Sequence, residues 1–433
     1  MATVIGKGKG KSKGRGKVVK AASAPDEGRI TLLKNGGVTS PSGFLSSGVA
    51  AGIKKKKGAR DLALVVSTVP AEVAAVFTVN QVKAAPVRVS IEHAKQGKIR
   101  AVVANAGCAN ACTGVDGIRD AKETTELVAA SLTEAGLPAK GSEVLVCSTG
   151  RIGILLPMPA VRRGVKAATA ALASDGHHAA EAIMTTDTFA KHVAVRIVID
   201  GKPVIIGGIA KGAGMIHPDM ATMLCFVTTD AAIDRTTLRR CVDEGVARSF
   251  NSISVDGDTS TNDTVIVLAN GQAKNPKLTA KHPQLPLFRS ALRRVMKELA
   301  RMIVRDGEGI SKVVEVTVKG AASAREAKLA AEAVGKSTLV KCSWCGNDPN
   351  WGRIMDALGY SKARMQEELV EIFYDGLQAV VNGQRSLVPE TRIRKIVARP
   401  EFTITIHLHL GHGEYTFLTA DLTEEYVTLN KGE

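Results

Sequence analysis

Residues 209–229 read IAKGAGMIHPDMATMLCFVTT, and the architecture is read outward from them. A strand-like run ends at Lys211, and a Gly-rich loop follows at Lys211-Gly-Ala-Gly214. After Pro218, a small residue, Ala221, stands immediately before Thr222, which opens a second strand-like run. A threonine so placed can attack the carbonyl that precedes it. The peptide shifts from N to O, water hydrolyses the ester, and the new chain begins with threonine. Such a residue carries nucleophile and base together, because its own α-amine titrates at about 7.7–8.0 when unperturbed. Its β-methyl restricts χ1 and helps hold the hydroxyl in place. A plain loop-to-strand junction is the competing reading of the same residues.

The flanks alternate strands and helices. Val193–Ile199 and Val204–Ile209 surround Asp200-Gly201, a two-residue hairpin signal. Leu62–Ser67, Ala74–Val79, Ile99–Ala104, Val144–Ser148 and Met223–Val227 read as strands. Helices are expected at Ala121–Ala135, stopped by Gly136, at Pro157–Ala173 and at Leu287–Val304. The last third is strand-rich, with Val314–Val318, Val370–Tyr374, Ala379–Val381 and Phe402–Leu410. This mixture predicts an α/β layered sandwich, with helices around mixed, partly antiparallel sheets.

Composition narrows the class. With 45% hydrophobic and 23% charged residues over 433 positions, the chain has ample material for a core. Its apolar runs are strand-length, well short of the ~20 residues a bilayer requires, so no membrane partner is expected. Aromatics make up only 3%, which leaves the core to small aliphatic side chains. The net charge of +16 is uneven: Gly6–Lys20 holds seven basic residues, and the remainder carries about +9. Residues 1–27 therefore read as a basic, compositionally disordered tail. A nucleic-acid arm would want further basic stripes and stacking aromatics, and the body supplies only Lys54–Lys57. No nucleic-acid partner is expected. No apolar segment follows Met1–Gly6, and seven cysteines is an odd number, so free thiols and a cytoplasmic location are expected. Organellar targeting by the tail stays open.

Several familiar signatures fail. GKGKGKS in the tail lacks phosphate-loop spacing. Cys342-Ser-Trp-Cys345 has no second CxxC to complete a zinc set. His407, His409 and His412 read as a partly exposed strand face, so no metal is expected. Val255–Asp263 (VDGDTSTND) fits neither a cation loop nor a phosphotransfer site, and a turn whose side chains bond their own backbone explains it equally well.

Three other segments carry polar groups suited to a site. Thr149-Gly150 ends a strand, where a hydroxyl and a backbone N–H can converge on one oxygen, each donor being worth about 2.7–4 kcal/mol to an oxyanion. Met184-Thr-Thr-Asp-Thr188 crowds polar side chains after a helical run. Arg305-Asp-Gly-Glu-Gly309 places a carboxylate between glycines, where it can meet a cationic amine or simply cap a helix in solvent.

These segments stand in order with Gly36–Pro41, Gly48–Lys54, Asn105–Gly114 and Asp348–Arg353, and together they closely resemble the glutamate/ornithine N-acetyltransferase (ArgJ) family of arginine biosynthesis. The resemblance runs from about Asp26 to Asn430. It implies an ArgJ/DmpA-like fold that cleaves itself between Ala221 and Thr222, giving fragments 28–221 and 222–433. It implies Thr222 as nucleophile, Thr149 and Gly150 as the oxyanion hole, and substrate contacts from Thr185, Lys211, Thr222, Glu308 and Asn430. The implied reaction moves an acetyl group from N2-acetyl-L-ornithine to L-glutamate through an acetyl-Thr222 ester. No cofactor is implied, although acetyl-CoA can serve as a co-substrate in bifunctional members. The implied assembly holds two α and two β fragments.

The sequence departs from the family pattern in places. Ala106, Cys108, Ala190, His217 and Asp219 vary common positions, and Arg151 puts a charge beside the oxyanion pair. The family also continues past the position of Asn430 to a threonine that contacts substrate, and that contact is expected to be missing. A self-processed amidohydrolase or aminopeptidase, with water as acceptor, is the alternative function.

Overall fold

The computed structural model describes residues 27–217 and 223–431, apart from the side chain of Glu27. Its first sheet is built from β1 (Thr31–Leu32), β2 (Phe44–Val49), β3 (Leu62–Phe77), β4 (Lys98–Cys108) and β5 (Val144–Arg151). It continues with β6 (Lys191–Ile199), β7 (Lys202–Lys211), β8 (Leu224–Thr229) and β9 (Thr264–Ala269). The spatial order is β1-β6-β7-β8-β9-β3-β4-β5, with β2 on β3. The pairs β4–β5 and β8–β9 run parallel, and the others antiparallel.

Side-chain alternation folds this sheet into a sandwich. Val65, Val102, Leu145, Ile209, Leu224, Phe226, Ile266 and Leu268 share one buried cluster, so the β3–β5 and β7–β9 halves face each other across it. Their neighbours one residue away face outward onto helices. Leu64, Val103 and Val146 pack on α2 (Gly114–Glu134) and α3 (Met158–Ala170), which follow α1 (Ala85–Ala94). After α4 (His177–Ala182), α5 (Arg235–Ala247) and α6 (Leu285–Arg305) cover Val227, Val265 and Val267. The order is therefore helices, sheet, sheet, helices.

A second sheet joins β10 (Val313–Ala321), β11 (Glu371–Tyr374), β12 (Leu377–Val381), β13 (Gln384–Arg385), β14 (Glu401–His407) and β15 (Gly413–Ala420). Its order is β13-β12-β11-β14-β10-β15. Its own core also takes side chains from α7 (Ala324–Lys336), α8 (Thr338–Cys345), α9 (Trp351–Gly359) and α10 (Glu390–Val397). The short α11 (Glu424–Leu429) follows. Among the described residues no helix is long and apolar enough to cross a membrane.

The layered α/β expectation holds, with local corrections. The two strands expected at Leu62–Ser67 and Ala74–Val79 are one, β3, whose register shifts between Val66 and Ala71. Pro70 lies in that gap and has no N–H for the ladder, which is why the pattern reads as two strands. The strand expected at Phe402–Leu410 stops at His407, and His409 adopts φ 53°. Residues 1–26 and the Ala221–Thr222 bond lie outside the described residues. Strands on either side of that bond nevertheless pair with each other, Lys211 of β7 against Leu224 of β8. Residues before and after it thus share one sheet and one core.

Candidate active site

The C-terminal ends of β4, β5 and β7 meet the N-terminal ends of β8 and β9 at one end of the sandwich. A cavity of about 840 Å³ opens there, lined by Thr149, Gly150, Thr185, Lys211, Glu308 and Asn430 among others. These six residues, singled out in sequence, come from five separate segments. Residues 218–222, Ala221 and Thr222 among them, lie outside the described residues, but the described chain on either side is held by hydrogen bonds. Asp256 accepts the Met215 and Ile216 amides at 2.6 and 2.9 Å, and Asp263 accepts the Met223 amide at 3.0 Å.

Thr149 is buried at the end of β5, and Gly150 lies beside Gly107 in the parallel β4–β5 register. Gly150 adopts φ 127°, and a Cβ there would stand 2.5 Å from the Gly107 carbonyl carbon. No other residue fits. The strand end is locked by Asn262, whose amide donates to Ser148 O at 2.8 Å and Ala109 O at 2.7 Å. Nothing in the sequence signals that clamp, because Asn262 lies more than 100 residues from both carbonyls.

Lys211 is buried, and its Nζ lies 4.0 Å from Asp187 Oδ2. Burial pushes the Lys211 ammonium down, while Asp187 opposes the shift. Asp187 gathers the site. Its carboxylate accepts the Thr185 amide at 2.9 Å, the Gly212 amide at 2.7 Å and the Lys191 ammonium at 2.7 Å. Burial disfavours its charge, but Lys211, Lys191 and the Gly212 amide outweigh burial and hold the carboxyl at about 2. Lys191, wholly buried, also donates to Asp306, which accepts the Thr188 amide and hydroxyl. An ion-pair network therefore joins the Met184–Thr188 segment to Lys211 and to the Arg305–Gly309 turn. On that turn Glu308 is reached by Asn430 Nδ2 at 3.1 Å. Gly309, at φ 64°, packs against the Tyr426 backbone where a Cβ would lie 2.4 Å from the Tyr426 nitrogen.

The Val255–Asp263 run does more than bond to itself. Asp256 does accept the nearby Asp258 amide at 3.2 Å, but Asp256 and Asp263 also grip backbone about 40 residues upstream. Asp263 is fully buried, and its Oδ2 has no hydrogen-bond partner among the described residues. Burial pushes its carboxyl well above the usual range, against the pull of the Met223 amide and Lys211. The only signal in the sequence is the aspartates themselves, because the partners of Asp256 and Asp263 lie about 40 residues away.

The CxxC and histidine signatures lie among the described residues, whereas the GKGKGKS run lies outside them. Among the described residues all seven cysteines are unpaired, and Cys342 and Cys345 sit on α8. His409 Nε2 lies 2.8 Å from Glu371, a carboxylate the sequence pattern did not suggest, yet no group of three potential metal ligands forms among the described residues.

Comparison with known proteins agrees with the resemblance read from the motifs. The profile of the ArgJ family matches residues 45–432. The chain is 48% identical over 397 residues to the arginine biosynthesis bifunctional protein ArgJ of Symbiobacterium thermophilum, covering 91% of this chain and 98% of that one. It is 50% identical over 390 residues to its counterpart from Geobacter sulfurreducens, covering 90% and 98%. A crystal structure of ornithine acetyltransferase complexed with ornithine, from Mycobacterium tuberculosis, is 44% identical and covers 45% of this chain and 100% of that chain, with a TM-score of 0.41.

Proposed function

The chain belongs to the ArgJ family, and from that premise we propose that its cavity carries acetyl from N2-acetyl-L-ornithine to L-glutamate on Thr222. The enzyme is a bifunctional acetyltransferase of arginine biosynthesis. For its second activity, N-acetylation of glutamate, acetyl-CoA is the proposed donor. The observation that carries the reading is the cavity itself, which gathers Thr149, Gly150, Thr185, Lys211, Glu308 and Asn430 with Gly214 and Met215 of the chain that leads toward the Ala221–Thr222 bond.

The chemistry follows in two halves. After self-cleavage, Thr222 Oγ attacks the acetyl carbonyl, and its proton passes to the Thr222 α-amine. The Thr149 hydroxyl and the Gly150 N–H hold the oxyanion. The C–N bond then breaks, the ornithine nitrogen takes the proton, and ornithine leaves. The glutamate α-amine attacks the ester, the ester C–O bond breaks, and Thr222 Oγ recovers a proton as acetylglutamate departs. In this reading Lys211 pairs with the substrate α-carboxylate, and Glu308 with the ornithine ammonium. The proposed enzyme is cytoplasmic, built from two α and two β fragments, and its sheet takes strands from both sides of the cleavage bond.

Two measurements test this. Denaturing mass analysis should show fragments that meet at Ala221/Thr222, and Thr222→Ala should give one intact, inactive chain. Acetylornithine supplied with glutamate should yield acetylglutamate. Acetate released at the same rate with and without glutamate would instead identify an amidohydrolase.

A further inference from the structure

Within that proposed reaction, one pocket must accept two amino acids whose side chains carry opposite charge: a δ-ammonium on ornithine and a γ-carboxylate on glutamate. A fixed carboxylate that attracts the first repels the second. The cavity resolves the conflict by separating its charges. We propose that Lys54, assisted by Lys55 and Arg151, forms the subsite for the γ-carboxylate of the acceptor glutamate.

One wall is acidic. Glu308 is held by Asn430, and Asp256 is bound to the Met215 and Ile216 amides and approached by the Tyr426 hydroxyl at 3.4 Å. The other wall, beside the oxyanion pair, is basic. Lys54, Lys55 and Arg151 line the cavity there with Gly107 and Gly150. Lys54 packs directly on Gly107, where an added Cβ would stand 3.1 Å from Lys54 Cγ, and Gly107 is the register partner of Gly150.

The basic wall is built, not merely a charged surface. The buried Asp61 carboxylate accepts four successive amides, from Ala51, Gly52, Ile53 and Lys54, at 2.6, 3.1, 2.6 and 2.9 Å. This clamp fixes the loop that presents Lys54. Lys54 Nζ donates to Arg60 O at 2.7 Å, and an ammonium has three donors, so two are left for a ligand. Lys54 is half-buried, and burial lowers its pKa, so an arriving carboxylate gives it a partner that water supplies only in part. Lys211 cannot do this work as well, because it is turned to Asp187 and, in the proposed reaction, to the α-carboxylate. Arg151, with Lys55, adds further positive charge at the same wall.

The test separates the two half-reactions on processed enzyme carrying Lys54→Gln or Arg151→Gln. Ornithine release from acetylornithine reads the first half. Discharge of the acetyl-enzyme by glutamate or by glutamine, its uncharged isostere, reads the second. Lys54→Gln should raise the KM for glutamate about tenfold, at least fivefold more than the KM for acetylornithine. It should also erase most of the preference for glutamate over glutamine, and Arg151→Gln should act in the same direction. An unchanged glutamate-to-glutamine ratio in both variants, or equal rises in both KM values, would overturn the subsite. An effect confined to acetyl-CoA would also overturn it and assign the wall to a phosphorylated donor. If the unsubstituted enzyme releases no ornithine at all, the transferase reading fails instead. Should Lys54→Gln not fold, Lys55→Gln with Arg151→Gln carries the same prediction.

Discussion

Asp263 Oδ1 accepts the Met223 amide at 3.0 Å, so a fully buried carboxyl grips the chain one residue beyond Thr222. The two residues are 40 apart in sequence, and the contact forms where β8 and β9 begin side by side. It ties the backbone that leads out of the proposed nucleophile to the strand whose preceding loop, through Asn262, also locks the oxyanion strand.

Asp263→Asn keeps a hydrogen-bond acceptor for Met223 but cannot ionise. Burial raises the folded-state pKa above the unfolded value of about 3.9. The contribution of Asp263 to stability is therefore full below that value and is lost as pH rises toward the folded pKa. The stability of Asp263→Asn relative to the parent should increase between pH 4 and pH 8, as read from urea midpoints. Asp263→Ala removes the grip on Met223 and should slow appearance of the two fragments.

Gly150→Ala should be worse than its one carbon suggests. The added methyl meets the Gly107 backbone at 2.5 Å in a conformation that disfavours any side chain. The end of β5 must move, taking one proposed oxyanion donor with it, and kcat should fall by about 10²–10³. Thr149→Ala leaves the backbone in place and should lower kcat with little change in thermal midpoint. Equal losses of stability in the two variants would argue against this separation of roles.

Asp187→Asn removes the anion shared by Lys191 and Lys211 inside the fold. Breaking a buried ion pair typically costs about 3–5 kcal/mol, and that range is expected here near neutral pH. The folded carboxyl sits at about 2, below its unfolded value, so its contribution is present above about pH 4 and lost as pH falls toward 2. Denaturation midpoints of parent and variant should therefore draw together in acid. The substitution should also raise the KM for acetylornithine, because Thr185 and Lys211 both lose their support.

Much of this was legible in the chain. Short apolar runs announced β6, β7 and β8, and Asp200-Gly201 announced the turn between the first two. The motifs around Thr149, Thr185, Lys211, Glu308 and Asn430 named six residues that line one cavity. The α7 segment, Ala324–Lys336, gives a weak helical signal, because its buried stripe is alanine and glycine with one valine and so has little hydrophobic weight. Strand β15 is also hard to read: Tyr415 and Phe417 share one face, but Leu418 lies on the other and Thr419 follows on theirs, so the period is blurred.

By itself, then, the sequence determined the strand and helix periods, the family, and the residues proposed to carry the chemistry, since each depends on short, ordered patterns. Only the tertiary structure decided that Asp187 holds Lys191 and Lys211, that Asp61 clamps the Lys54 loop, that Asp263 reaches back to Met223, and that the cavity has one acidic and one basic wall. Charge acts through distance and burial. Residues far apart along the chain acquire both only when the two halves of the sheet close on their shared core.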